Sequence, residues 1–484
     1  MFEQDTALEV GVPKSRGLDW AITGLIVALL LAGGIVAAAL HRPILTAAGL
    51  ENPGGEPTIA PTMFVEPTPE PEPVVEPDLA PPPPLPPGGP APDPAVLQQR
   101  LAALDTSRIV TADGSPAAIA YEILDAATGE VLAGSNAAQP LIPASNTKTL
   151  TAVAVMNAFD GDERFATRVV APDPSTIVLV GGGDPLLRVE PVSEGAYPAP
   201  ASLRALAEAT AAALREAGTT TVSLGYDASL FEGDGWAPTW PESYRDQVTP
   251  ITALWADEGR VDGARSRTPA LAAAQLFAGQ LAELGVTVTG EPAAVAGSGR
   301  ELARVESEPV HVLVEQAMLR SNNSFTELLG FQLAARTGHP TTFAGSTAAI
   351  AEQLTELGLW EDTAHLDDAS GLSRSNVFSA GLLARANLHL LTTPRLTAIL
   401  DGLPVAGVTG TLADRFSDPV SSAARGVARA KTGTLSFVSS LAGTTVTSDG
   451  ALVVYAVLAN GQVSGWDAKV WEDQVVGVLT GCGC

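Results

Sequence analysis

Two side chains three positions apart, Ser145 and Lys148, stand at the head of ASNTKTLTAVAVMNAF, a run from Ala144 in which small and apolar residues recur at helical spacing. In the first turn of a helix that spacing puts both on one face, with their ends within reach of each other. A serine hydroxyl is a weak nucleophile at its own pKa, and a lysine serves as its base only where burial or a neighbouring cation keeps the amine neutral. The apolar stretch after Lys148 meets the first of these conditions. Taken alone, Ser145 also reads as the N-cap of the helix. Two further groups follow in chain order, Ser321-Asn322-Asn323 and Lys431-Thr432-Gly433. Acyl transfer needs a nucleophile, a base, an acid for the leaving group and donors for the oxyanion, and these groups offer candidates for all of them. Lys431 adds a cation for a carboxylate in a chain with 27 basic residues against 54 acidic ones.

SxxK, then SDN, then KTG is the signature of class A β-lactamases and penicillin-binding proteins, matched here with Asn322 in the middle of the second group. The similarity extends further, to the S13 peptidases, the low-molecular-mass class C penicillin-binding proteins with D-alanyl-D-alanine carboxypeptidase and endopeptidase activity. PASNTKTLTA from Pro143 and MLRSNNSFTELL from Met318 resemble the first two motifs of that family. LDDASGLSRSN from Leu366, LPVAGVTGTLADR from Leu403 and ARAKTGTLSFVSSLAG from Ala428 resemble three more blocks in the family's order. The resemblance covers roughly residues 118–461. It implies Ser145 as nucleophile, Lys148 as its base, Ser321 as proton relay to the leaving amine, and Asn323 as hydrogen-bond partner of Lys148 and of the substrate amide. Lys431, with the hydroxyls of Thr432 and Thr434, would hold the terminal carboxylate of a peptidoglycan stem peptide. Gly433 would let the substrate backbone lie along the strand, and the N–H groups of Ser145 and Thr434 would form the oxyanion hole. No cofactor or metal is implied, and β-lactam antibiotics are the inhibitors it implies. Two departures stand out. Asn322 replaces a frequent acidic residue but should point away from the cleft. Ala369 stands where glycine is usual, so an altered loop there could change substrate preference. Arg374, beside SGLS, is a further candidate for substrate contact.

The elements that must position these residues follow from the pattern. The expected fold is α+β: a β-lactamase/transpeptidase-like serine domain, its antiparallel sheet flanked by helices, carrying an inserted, mostly β domain. Strand-like AAIAYEILD before a turn at Ala126 to Glu130, and alternating strands around a turn at Ser448 to Gly450, supply the sheet. The distance from Lys148 to Ser321 leaves room for the insertion, placed at 165–300, with helical patterns at 202–216 and 269–284. The catalytic domain then comprises 96–164 and 301–484. At 484 residues the chain exceeds the length of about 250 to 300 at which single cores stop growing.

Ahead of the folded part, residues 20–40, WAITGLIVALLLAGGIVAAAL, are uncharged and long enough to cross a bilayer. Lys14 and Arg16 precede them, which places 1–19 in the cytoplasm and the rest outside, giving a single-pass membrane protein. A cleaved signal ending near Ala37 and Ala39, releasing a secreted form, is the rival reading. Residues 41–95 are rich in proline and acidic residues and read as an extended extracytoplasmic spacer.

Several function classes are excluded. A net charge of −27 disfavours nucleic acid as a partner. GGGDP at Gly181 lacks the Gly-Lys of a phosphate loop, and the five histidines show no metal-binding spacing. Cys482 and Cys484 form no framework and read as an unordered terminal pair, oxidised or not. A Ser-His-Asp hydrolase is disfavoured because no GxSxG surrounds Ser145. The remaining alternatives are a β-lactamase-like hydrolase and a noncatalytic muropeptide-binding envelope protein.

Overall fold

The computed structural model describes residues 88–484. The segments read as cytoplasmic (1–19) and transmembrane (20–40), and the spacer up to residue 87, lie outside the described residues. Among the described residues no helix is long and apolar enough to cross a membrane.

The chain opens with a helix, Pro94–Ala102, capped by Asp93, whose carboxylate accepts from the N–H groups of Ala95 and Val96. The hairpin of β1 (Ala118–Asp125) and β2 (Val131–Ser135) follows, then the helix Thr147–Ala158 that begins just after Ser145. A second sheet takes β3 (Ala166–Asp173), β4 (Thr176–Val180), β5 (Thr221–Asp227), β8 (Thr287–Ala294) and β9 (Arg300–Glu306). A two-residue ladder pairs β6 (Arg260–Val261) with β7 (Ala264–Arg265). The chain then builds the helices Val310–Arg320, Asn323–Thr337, Phe343–Glu356 and Ala380–Thr392. It ends with β10 (Arg429–Leu435), β11 (Val438–Val446), β12 (Leu452–Asn460) and the helix Gly465–Thr480.

The first sheet is antiparallel throughout, in the order β10-β11-β12-β1-β2, so the two ends of the described chain meet in one sheet. Its central strand explains the layering. LVVYAVLAN is apolar without alternation, as a strand covered on both faces must be. Val454, Ala456 and Leu458 enter one core with the helix Thr147–Ala158. Val453, Tyr455, Val457 and Ala459 enter the other, with Trp471 and Val475 of the last helix. The helix after Ser145 is buried on nearly every side, so its low amphipathicity reflects a helix inside the protein.

In the second sheet, of order β8-β5-β4-β3-β9, β4, β5 and β8 run parallel. Parallel neighbours cannot be joined by hairpins. Each connection therefore crosses over through a helix, Leu203–Glu216 and Pro269–Glu283, and both pack on one face of the sheet through Leu206, Leu214, Phe277 and Leu281. Residues 231–255 leave this sheet and join the main core, where Phe231 meets Phe331 edge-to-face at 5.2 Å. The GGGDP turn is anchored to the same helix: Gln332 donates to the carbonyls of Gly182 (2.6 Å) and Gly183 (3.2 Å).

The terminal cysteines correct the expectation of an unordered pair. Cys482 and Cys484 are disulfide-bonded to each other, Cys482 is buried in the second core, and the Cys484 carbonyl accepts from Asp93 N–H at 2.5 Å. Apolar packing and a backbone bond to the first helix order the tail.

Candidate active site

Ser145 lies in a 3-10 turn, Ala144–Asn146, leading into the helix Thr147–Ala158. It does not cap that helix. Asn146 occupies the N-cap position, and its side chain donates to Ser440 Oγ of β11 at 2.8 Å, while Ser440 donates to the Pro143 carbonyl at 2.6 Å. The strand thereby clamps the backbone on either side of Ala144. That alanine has φ +50°, a left-handed conformation costly for a residue with a Cβ and held only by such surroundings.

Lys148 Nζ lies 2.9 Å from Ser145 Oγ, 2.7 Å from Asn323 Oδ1 and 2.6 Å from the Ser370 carbonyl, and the side chain is fully buried. Burial pushes its amine down to about 8, against the opposing pull of the negative charges of Asp368 and Glu327. An amine in that range is accessible as a base near neutral pH.

The second group is placed by a sharp junction between two helices. Ser321 ends the helix Val310–Arg320 in the left-handed conformation, φ +51°, and its Oγ accepts from Lys431 Nζ at 2.7 Å. Asn322 caps the next helix, its side chain accepting from Phe325 N–H at 3.1 Å. That turns it from the cleft, as expected, and explains why asparagine serves there: Asp and Asn are comparable N-caps. Asn323, the first residue of this helix, accepts from Lys148 and donates to the Gln247 carbonyl at 3.3 Å.

Lys431 on β10 is also fully buried. It donates to Ser321 Oγ and, at 2.8 Å, to the Thr432 carbonyl. Burial, and then the charge of Lys148, push its amine well below the usual lysine range. Thr432 Oγ1 is 2.9 Å from Thr411 Oγ1, and Thr434 is exposed at the end of the strand. A Cβ added at Gly433 would fall 2.2 Å from Ser440 Oγ and 2.5 Å from the Pro143 carbonyl. The missing side chain is therefore needed for β10 to lie against the segment that carries Ser145.

The structure thus assembles Ser145, Lys148, Ser321, Asn323 and Lys431 as two hydrogen-bonded groups joined by the turn 321–323, with Thr432, Gly433 and Thr434 alongside. Arg374 donates to the Ser436 carbonyl at 2.8 Å, which ties its loop to the β10–β11 turn. The methyl of Ala369 is wholly buried, in the space that Gly330 leaves open, so it packs on a helix rather than facing the cleft.

The sequence profile of the D-Ala-D-Ala carboxypeptidase 3 (S13) family matches residues 103–264 and 262–481. The chain belongs to this family. It is 34% identical over 393 residues to a carboxypeptidase of Mycobacterium tuberculosis, covering 78% of this chain and 83% of the relative. To the carboxypeptidase DacB of Mycolicibacterium smegmatis it is 34% identical over 415 residues, covering 81% and 88%. Among solved structures, penicillin-binding protein 4 of Haemophilus influenzae superposes with a TM-score of 0.63 over 79% of this chain and 98% of that one, at 19% identity, which shows a shared fold. The S13 chain described here is accordingly a serine-type D-alanyl-D-alanine carboxypeptidase with the expected α+β fold.

Several residues around the site are invisible to motif reading. Glu327 and Asp368 are fully buried carboxylates behind Lys148, and Trp240 reaches Asp368 from residues 231–255. Thr411 holds Thr432. The available signal is, for Glu327, the one acidic residue of its helix, set between the apolar Phe325, Leu328 and Leu329, and for Asp368 the pair Asp367-Asp368 ahead of SGLS.

Proposed function

We propose that this S13 carboxypeptidase removes the terminal D-alanine of peptidoglycan stem peptides through an acyl-enzyme on Ser145. The observation that carries this reading is the 2.9 Å contact between Ser145 Oγ and a buried lysine amine brought down to about 8. Ser145 Oγ attacks the penultimate D-alanyl carbonyl carbon and its proton passes to Lys148 Nζ. The oxyanion forms against the N–H groups of Ser145 and Thr434. As the C–N bond breaks, Ser321 Oγ hands its proton to the leaving amine and is resupplied from Lys431, which already donates to it. Once D-alanine departs, Lys148 releases to solvent the proton taken from Ser145 and Lys431 regains one. Water then attacks the ester carbonyl, Lys148 taking its proton and passing it to Ser145 Oγ as the ester C–O bond breaks. Lys431 and the hydroxyls of Thr432 and Thr434 hold the terminal carboxylate. Cross-link cleavage places the same D-alanyl carbonyl on the serine, so endopeptidase activity follows from the same steps. A solved structure of the Haemophilus influenzae protein holds a β-lactam, which supports β-lactams as ligands of this site.

The test is the intact mass of the purified full chain before and after benzylpenicillin, with Ser145→Ala as control. A persistent adduct on the wild type alone is expected. Penicillin left intact with no adduct would leave a binding scaffold, and rapid hydrolysis with no adduct would indicate a β-lactamase. The apolar run at 20–40 supports a membrane anchor with the enzyme outside; recovery of an epitope-tagged chain in the salt-washed membrane fraction is the expected result, and release into the medium would refute it.

A further inference from the structure

We propose that Glu327 is a positioning residue for Lys148, acting through the Ala369–Ser370 backbone so that the lone pair of the neutral amine faces Ser145. The proposal rests on Lys148 being the base. An ammonium has three N–H donors, and Lys148 uses all three, on Ser145 Oγ, Asn323 Oδ1 and the Ser370 carbonyl. The neutral amine keeps two N–H groups and one lone pair. Asn323 Oδ1 and the Ser370 carbonyl only accept, so they must take the two N–H groups, and the lone pair is left for the Ser145 hydroxyl. Without the Ser370 carbonyl, an N–H could turn toward Ser145 and the lone pair away from it.

Glu327 holds that carbonyl in place. Its Oε1 accepts from Ser370 N–H at 2.8 Å and its Oε2 from Ala369 N–H at 3.1 Å. On the other side of the same dipeptide, the Ala369 carbonyl accepts from Thr151 Oγ1 at 2.7 Å and the Ser370 carbonyl from Lys148. Both N–H groups therefore face the helix Asn323–Thr337, and both carbonyls face the helix Thr147–Ala158. Glu327 lies one turn beyond Asn323 and Thr151 one turn beyond Lys148, spacings that keep each pair on one helix face. The dipeptide locks the two helices in the register that brings Asn323 and Lys148 together. Asp368 fixes the loop that follows, accepting from the N–H groups of Gly371 (2.7 Å) and Ser373 (2.5 Å), the Asn376 side chain (2.8 Å) and the Trp240 indole (2.7 Å). The charged groups around Lys148 are thus Glu327, Asp368 and Lys431.

The test compares Glu327→Gln with wild type in the rate of acylation by benzylpenicillin across pH, with active sites counted by the final amount of adduct. Glutamine keeps the volume but puts an NH2 against one of the two backbone donors. The acylation rate per active site should fall by up to about 100-fold, as for a reacting group displaced by about an ångström, with KM for a D-alanyl-D-alanine peptide within about twofold. Burial and then the charge of Asp368 push Glu327 up to about 8, so its negative charge develops over the same range as the Lys148 titration. Its removal should therefore move only the upper part of the rising limb to lower pH. Glu327→Asp should fall between the two. Should Glu327→Gln yield no folded protein, Thr151→Val releases the opposite side of the dipeptide and should slow acylation in the same direction. Fewer active sites, each with wild-type rate and pH profile, would overturn the proposal and leave Glu327 a purely structural residue. A wild type that penicillin does not acylate would instead sink the assignment of Ser145 and Lys148.

Discussion

The strongest quantitative consequence of the site concerns Lys148 and pH. With an amine at about 8, roughly one molecule in ten carries the neutral base at pH 7. An ordinary lysine near 10.4 would offer about one in 2,500. Burial therefore multiplies the competent form at pH 7 by about 200-fold, equivalent to about 3 kcal/mol of the acylation barrier. Acylation by benzylpenicillin, followed by mass spectrometry from pH 6 to 10, should climb about tenfold per unit below 8, bend near 8 and flatten above it. Asp368→Asn should move the bend to lower pH, since the negative charge of Asp368 supports the ammonium. Lys148→Arg, which cannot lose its proton at these pH values, should slow acylation by about 100- to 10,000-fold, the usual worth of a general base. A bend above about 9.5, where an unperturbed lysine titrates, or a flat profile from 6 to 8, would refute the assignment of Lys148 as the base.

Other outcomes follow from single contacts. Gly433→Ala forces a methyl against Ser440 Oγ and the Pro143 carbonyl, and should lower stability by about 1 to 3 kcal/mol in thermal unfolding while slowing acylation. Asn322→Asp should leave stability and acylation unchanged, whereas Asn322→Ala should lose about 1 kcal/mol of stability by losing its bond to Phe325 N–H. Lys431 is held below its usual range in the free site, and a carboxylate beside it raises its pKa again. KM for a peptide ending in a free carboxylate should thus rise with pH once free Lys431 loses its proton. KM for the same peptide ending in an amide should be high throughout and insensitive to that titration.

The parts of this site legible in the sequence are those in which a side chain's chemistry and its local spacing coincide. Ser145 and Lys148 meet because they lie across one helical turn, and the strand character of Lys431 to Thr434 follows from alternation. What the sequence leaves hidden is long-range. Asn323 depends on the Gln247 carbonyl, and Asp368 on the Trp240 indole, from a segment that begins in the inserted region and ends in the main core. No periodicity reports such a crossing, because those residues form neither a long helix nor a strand. A second role of Gly433 is hidden for a related reason. An absent side chain can make room for a ligand or for the protein itself, and only the positions of Pro143 and Ser440 show that the protein uses the space. The tail cysteines were misjudged because two residues carry too little pattern to reveal that one is buried.

The same network accounts for two buried lysines in one cleft, an arrangement whose desolvation would ordinarily be prohibitive. Two buried carboxylates, Glu327 and Asp368, stand behind Lys148, and none of the bonds to Lys431 comes from an acid. Lys148 thus has local counter-charge and Lys431 has none. The charge of Lys148 adds to burial in disfavouring that of Lys431, so Lys431 is poised to lose its proton. In the proposed mechanism the substrate's carboxylate, arriving beside Lys431, would supply the missing counter-charge and stabilise the ammonium there. That fixed positive charge in turn opposes a proton on Lys148. In the proposed mechanism, binding would therefore favour the charged form of Lys431 and the neutral form of Lys148, the form needed to accept the proton of Ser145. A substrate without the carboxylate forgoes both effects, so selectivity for a carboxy-terminal residue would come from the base as well as from the binding pocket.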